Sequence, residues 1–238
     1  ALQGAMFAKP NPNVQRIISS ILDQRTLVSP SEIAGAGISL LKTHPTIKNA
    51  LDISSKGKLG LALTETILEI SKIPLLLKLM AVCPISDLEI EVMLTHIRSE
   101  LLSSIWEIDA KPEILEFESA LALHCFSNEY IYEQTDNETM AIDALERAVN
   151  DRLSDGKQPQ SKLVLCLATY KALHEYSWCD HLISNASIKQ VWIRQVLEPK
   201  QDRLMKSDIP VLKEITDKVS SKVREQYEEN PYPRWVKT

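Results

Sequence analysis

Ser86–Trp106 reads SDLEIEVMLTHIRSELLSSIW, and its spacing decides the fold class. Ser86 as N-cap with Glu89 three residues on makes a capping box. In such a box a hydroxyl and a carboxylate satisfy backbone N–H groups that the first turn of a helix leaves without partners. Behind it Leu88, Val92, Ile97, Leu101, Leu102 and Ile105 return at helical intervals, the pattern of a helix with one face in a core. The stretch predicts a helix to about Trp106 with those six residues buried.

The same signals recur in both directions. Asn13 is placed to cap a helix from Val14 to about Gln24, striped by Val14, Ile17, Ile18, Ile21 and Leu22. Ser29-Pro30-Ser31-Glu32 combines a serine cap, proline at the first helical position and glutamate three after the cap. That helix carries Ile33, Ile38, Leu40 and Leu41, and Gly35 and Gly37 either weaken it or permit a close helix contact. Pro45 opens a short helix through Ile53, another runs from Gly57 to Ile73, and Pro74 kinks or restarts the chain. Pro112 starts a helix through roughly Tyr132, with Ile114, Phe117 and Leu121 on one stripe broadened by Phe126, Tyr130 and Ile131. Thr135-Asp136-Asn137-Glu138 is a further capping box, opening a helix to Leu153 that Asp155-Gly156 ends. Gln160 to Tyr176 and Ser187 to Leu197 read as helical. Pro199 and Pro210 punctuate the approach to a final helix, Val211 to about Glu228.

No hairpin signal bounded by alternating strands appears. The expected fold is all-α, an irregular helical bundle or divergent α-hairpin stack ending in a proline- and aromatic-rich extended segment. No 34-residue self-similarity marks a tetratricopeptide array. Residues 1–208 read as one helical domain, with a subdivision near 84–86 or 110 as the alternative. Residues 209–238 read as a connecting helix and linker.

Composition agrees. The 238 residues are 44% hydrophobic and 25% charged with a net charge of −5, an ordinary globular balance. Six glycines and 5% aromatic residues are too few for a turn-rich β-sandwich or barrel. A mildly acidic chain has no electrostatic reason to hold a phosphate backbone, so nucleic acid is not an expected partner. The most apolar run, Ile73 to Ile85, is interrupted by Pro74, Lys78 and Pro84 and is shorter than the roughly 20 residues of a membrane span, so no membrane is expected. Cys83, Cys125, Cys166 and Cys179 lack CxxC spacing and sit in apolar stretches, which points to buried free thiols and a cytoplasmic location. No charged-then-apolar leader follows Ala1, and the chain reads as a fragment.

Chemistry-bearing groups are few. His174, Cys179 and His181, with Cys166 nearby, match no common zinc spacing. His124 and Cys125 are adjacent and diverge by about 100° on a helix, so they do not form a nucleophile–base pair. Glu65 and Glu69 share a face at i,i+4, whereas Glu89 and Glu100 do not. All read as packing or solvated residues, and no metal is expected. Lys213 to Lys222 is a mixed charge face.

The exception is Val223 to Trp235, VREQYEENPYPRW. A helix ends at Glu228-Glu229-Asn230, and Pro231 and Pro233 force an extended path that displays Tyr227, Tyr232, Arg234 and Trp235 close together. Prolines hold such rings at low entropic cost, as a binding surface requires. On physics alone, a rigid linker packing its aromatics on a neighbouring domain is the stronger reading.

This segment resembles the junction that precedes the catalytic domain in a group of bacterial, often tetratricopeptide-linked, class I S-adenosylmethionine (SAM)-dependent methyltransferases. Cys125-Phe-Ser-Asn-Glu-Tyr-Ile-Tyr-Glu with the polar run to Glu138, and Leu197-Glu198-Pro199, resemble the helical region upstream of that junction. The resemblance covers about Pro112 to the end. It implies that this chain is a non-catalytic accessory region that positions the catalytic domain, with a protein substrate as a further partner. It also implies that Tyr227, Asn230, Pro231, Tyr232, Pro233, Arg234 and Trp235 lie beside the cofactor pocket of the full protein. No strand and glycine-rich loop for SAM occurs here, so no cofactor and no catalytic residue is expected in this chain. The alternative is a stand-alone helical protein-interaction module unconnected with methyl transfer.

Overall fold

The computed structural model describes residues 2–24, 29–57, 59–206, 221–223 and 226. They form eleven α-helices, with no strand among the described residues. In order these are α1 (Pro12–Gln24), α2 (Pro30–Leu41), α3 (Pro45–Ser55), α4 (Leu59–Ile70), α5 (Pro74–Val82) and α6 (Leu88–Ser103). They continue as α7 (Pro112–Ser127), α8 (Asp136–Ser154), α9 (Ser161–Ala168), α10 (Lys189–Trp192) and α11 (Glu198–Lys206). The all-α irregular bundle expected from the sequence is what forms. The proline- and aromatic-rich C-terminal segment lies outside the described residues, although 221–223 and 226, within the expected final helix, are helical.

Local chemistry explains most starts. Helices α2, α3, α5 and α7 begin on proline, whose missing N–H costs nothing at the first helical position. The capping box of α8 is complete: the Glu138 backbone N–H donates to Thr135 Oγ1 at 3.2 Å, and the Thr135 N–H donates to Glu138 Oε2 at 2.9 Å. Gly156 closes that helix with φ +73°, a conformation open to glycine because it lacks Cβ.

Several expectations are corrected. Helix α6 is capped by Asp87, not Ser86: Asp87 Oδ1 accepts from the Ile90 N–H at 3.2 Å. The inward face is Ile90, Met93, Leu94, Ile97, Leu101 and Leu102, so three expected residues are kept, while Leu88 is 76% and Val92 40% exposed. Helix α1 is capped two residues earlier than expected, Asn11 Oδ1 accepting from the Val14 N–H, and Ile17 faces solvent. Ser29 sits at the α2 cap, but its hydroxyl bonds that of Ser31 at 2.8 Å instead of a backbone N–H. Helix α7 stops at Ser127, because Glu129 and Tyr130 take left-handed φ values of 59° and 56°. The turn exposes Ile131 and buries Tyr132 instead.

Two apolar clusters fill the bundle. The first gathers Ile18, Ile47, Leu76, Leu79 and Phe117 among others, from α1 to the turn after α7. The second gathers Leu145, Val149, Leu165, Leu167 and Val191. Helices α6 and α7 serve both, with adjacent residues on opposite sides: Leu101 and Leu121 in the first, Leu102 and Ala122 in the second. Helix α7 packs chiefly on α5 and α9, and also on α4 and α10.

Of the two α2 glycines, only Gly37 marks a close approach: a Cβ built there would meet Leu79 Cδ1 of α5 at 2.9 Å, whereas one at Gly35 meets nothing within 4 Å. Gly37→Val is therefore expected to destabilise by about 1–3 kcal/mol through overpacking. Gly35→Ala, on the exposed face, should stabilise by about 0.5–1 kcal/mol. Urea unfolding of the two variants checks this, and equal effects of the same sign would contradict the close contact.

The expected break at Pro199 is instead a π-helical turn, Ile193–Leu197, joining α10 to α11 without interruption. Proline offers no N–H to the Gln195 carbonyl four residues earlier. That oxygen accepts from His174 Nδ1 at 2.8 Å instead, and the widened turn aims the fully buried Gln195 side chain inward. There its amide accepts from the Leu173 N–H at 3.0 Å and donates to the Ala122 and Ala168 carbonyls.

Candidate functional site

The sequence-predicted site residues, Tyr227, Asn230, Pro231, Tyr232, Pro233, Arg234 and Trp235, lie outside the described residues. Other constellations that the sequence suggests are placed. Cys83, Cys125, Cys166 and Cys179 are all free and buried. Burial pushes the Cys125 thiol up to about 12 and the Cys83 thiol up to about 11, the wrong direction for a nucleophile. Glu65 and Glu69 are exposed on α4, and Glu69 pairs with Lys72. No group of three metal-ligating side chains is assembled among the described residues.

What the structure does assemble is absent from the sequence reading. A polar junction lies between α6, α7, α8 and α9, centred on Arg98, which is 2% exposed. Its guanidinium sits 4.3 Å from the centre of the Tyr170 ring and 5.6 Å from that of Tyr132. Arg98 Nη2 donates to the Glu133 carbonyl at 2.5 Å and lies 3.9 Å from Glu138 Oε1. The Tyr170 hydroxyl donates to the same Glu138 oxygen at 2.8 Å. Burial pushes the Glu138 carboxyl up. Hydrogen bonds from the Thr135 backbone, the Tyr170 hydroxyl and the Thr135 side chain, with the Arg98 charge, outweigh this and hold it below its ordinary value. The α8 capping carboxylate thus doubles as counter-ion for a buried arginine.

The junction continues along α7. His124, fully buried, is hydrogen-bonded through Nε2 to the Tyr132 hydroxyl at 2.7 Å. Burial pushes its imidazole down to about 4, with the Cys83 backbone working the other way, so the ring is neutral near pH 7. Glu118 is likewise fully buried, and neither carboxylate oxygen has a hydrogen-bond partner among the described residues. Burial pushes its carboxyl up to about 8, Lys162 on α9 pulling the other way. These groups are packed away from solvent, and the bonds of Arg98 and Tyr170 to Glu133 and Glu138 tie α6 and the end of α9 to the start of α8. A groove of about 660 Å³ opens on another face, floored by Leu22, Leu77, Val82 and Leu115 with the Asp23–Lys78 ion pair beside it.

A signal for Arg98 and Glu118 did exist in the sequence. Arg98 is four residues after Leu94 and three before Leu101. Glu118 is four after Ile114 and three before Leu121. Both thus fall on the apolar arc of their own helix.

Comparison with protein-family models, curated proteins and solved structures finds no match. No helix among the described residues is long and apolar enough to cross a membrane.

Proposed function

We propose that this chain is the non-catalytic helical accessory region of a bacterial, cytoplasmic SAM-dependent methyltransferase, positioning the catalytic domain and offering a surface to a protein substrate. The observation that carries this reading is the segment VREQYEENPYPRW, residues 223–235, downstream of an all-helical body. The polar groups brought together in that body are buried in its packing, which accords with a scaffold. A SAM pocket in this class of domain is built on a strand running into a glycine-rich loop, so on this reading SAM and the chemical step belong to the catalytic domain.

Tyr227, Asn230, Pro231, Tyr232, Pro233, Arg234 and Trp235 would then fold against the mouth of the cofactor pocket. In the full protein, Tyr232→Ala with Trp235→Ala should lower methyl transfer by about 10- to 100-fold, the scale expected when groups supporting a site are misplaced. Unchanged activity would remove the pocket role. A coding sequence that stops directly after residue 238, with no strand and glycine-rich loop to follow, would overturn the methyltransferase link itself. The groove over Leu22, Leu77 and Leu115 favours a second reading, a helical protein-interaction module independent of methyl transfer.

A further inference from the structure

Glu118 and Lys162 are two buried groups of opposite chemistry on facing helices, and the structure does not pair them. Lys162, 7% exposed, donates from Nζ to the Ile108 carbonyl at 2.7 Å, in the connection between α6 and α7. The fully buried Glu118 carboxyl has no hydrogen-bond partner at either oxygen among the described residues. A carboxylate left unpaired in an apolar interior is too costly to persist ionised, so it holds its proton. The Lys162 charge acts on the Glu118 carboxyl across the α7–α9 contact. The two side chains therefore have a second arrangement, in which Lys162 leaves the Ile108 carbonyl for an ionised Glu118.

We propose that Glu118 and Lys162 form a proton-operated latch on the α7–α9 contact. With Glu118 protonated, Lys162 holds the Ile108 carbonyl and pins the α6–α7 connection. Loss of the proton draws the ammonium onto the carboxylate and frees that carbonyl.

The surroundings of Glu118 leave this pair in charge. From α9 the Lys162 charge acts on it, and its own charge pushes the buried Cys166 thiol further up. The charges of the other helices packed on α7 lie towards solvent: Glu65 and Glu69 of α4 and Lys189 of α10 are exposed, and Lys78 of α5 is paired with Asp23.

The direction of the pH effect follows from linkage. The folded Glu118 keeps its proton up to about 8, against an ordinary value of 4.5, so between these limits the folded state binds the extra proton and stability falls as pH rises. His124 acts oppositely, from about 4 to its ordinary 6.5, where the unfolded state binds the extra proton and stability rises with pH. The two offset each other below 6.5, and Glu118 acts without that offset from there to about 8.

The test uses the 238-residue chain labelled with ¹³C, following the Glu118 side-chain carboxyl and the Ile108 backbone carbonyl by NMR from pH 5 to 9.5. The carboxyl resonance should titrate with a midpoint near 8, and the Ile108 carbonyl should move with the same midpoint. Lys162→Met should raise the Glu118 midpoint, and Glu118→Gln should abolish the Ile108 shift. In parallel, between pH 6.5 and about 8 the unfolding equilibrium constant of the wild type should rise by up to about tenfold per pH unit, and that of Glu118→Gln should rise far less over the same window. A Glu118 midpoint near 4.5, or an Ile108 carbonyl indifferent to it, overturns the latch. Both readouts come from the wild type, so the test stands whether or not either variant folds.

Discussion

Arg98→Met is expected to destabilise the chain by about 3–5 kcal/mol, the cost of breaking a buried ion pair from one side. The side chain is 2% exposed and supports three things at once: the Glu133 carbonyl, the Glu138 carboxylate and the faces of Tyr132 and Tyr170. Methionine matches much of the volume but donates nothing. It leaves the carbonyl orphaned and Glu138 buried without its cation. Arg98→Lys is not a safe replacement either, because an ammonium lacks the planar, forked guanidinium that reaches the Glu133 carbonyl while lying close to both tyrosine rings. Since the whole stability of a domain is only about 5–15 kcal/mol, the Arg98→Met midpoint in urea should fall by a large fraction of its wild-type value. A second change isolates the cause. Glu138→Gln keeps the reach needed for the α8 cap while removing the charge, so adding it to Arg98→Met should recover part of the loss. If the two effects simply add, the pair is not coupled and Arg98 acts through packing alone.

Phe117→Ala should also cost about 3–5 kcal/mol, by loss of buried area and creation of a cavity. Phe117 has no exposed surface and lies on α7, the helix that packs on α5, α9, α4 and α10 together, so surrounding side chains cannot collapse from one side to fill the gap. Leu88→Ala is the matched control. Leu88 satisfies the apolar spacing of the sequence as well as Phe117 does, yet it is 76% exposed, and its truncation should change stability by less than about 0.5 kcal/mol. Thermal or urea unfolding of both variants measures the difference, and a Leu88→Ala loss comparable to that of Phe117→Ala would place α6 differently from the arrangement described.

The contrast between these residues shows what was legible. Proline at the first position of α2, α3, α5 and α7 and the reciprocal Thr135–Glu138 cap can be read directly, because each acts within four residues of itself. The α6 cap lies one residue beyond the expected one, at Asp87 instead of Ser86. Ile97, Leu101, Leu102 and Ile105 are buried as their spacing suggests, but in the first turns the neighbouring helices enclose Ile90 and Met93 and leave Leu88 and Val92 exposed. The α7 end falls short of the expected one because the left-handed turn at Glu129 and Tyr130 lacks glycine, the residue that usually announces one. Of the candidate site, the strip from Tyr227 to Trp235 is readable as a motif only. Arg98 and Glu118 carry a readable signal, a charge on an apolar arc, but not its meaning.

The sequence by itself determined that the chain is helical, where most helices start, and that its cysteines are buried, since these follow from backbone propensity, capping and apolar spacing along one segment. Only the tertiary structure decided which charged residues are enclosed, which carboxylate is left without a partner, and how a proline becomes a π turn instead of a break. Those outcomes depend on what a neighbouring helix brings to within bonding distance: Tyr170 beneath Arg98, Lys162 opposite Glu118, and His174 against the carbonyl that Pro199 leaves without a donor. The spacing of residues along a single helix carries no information about its neighbours, and the chemistry of this interior is set by them.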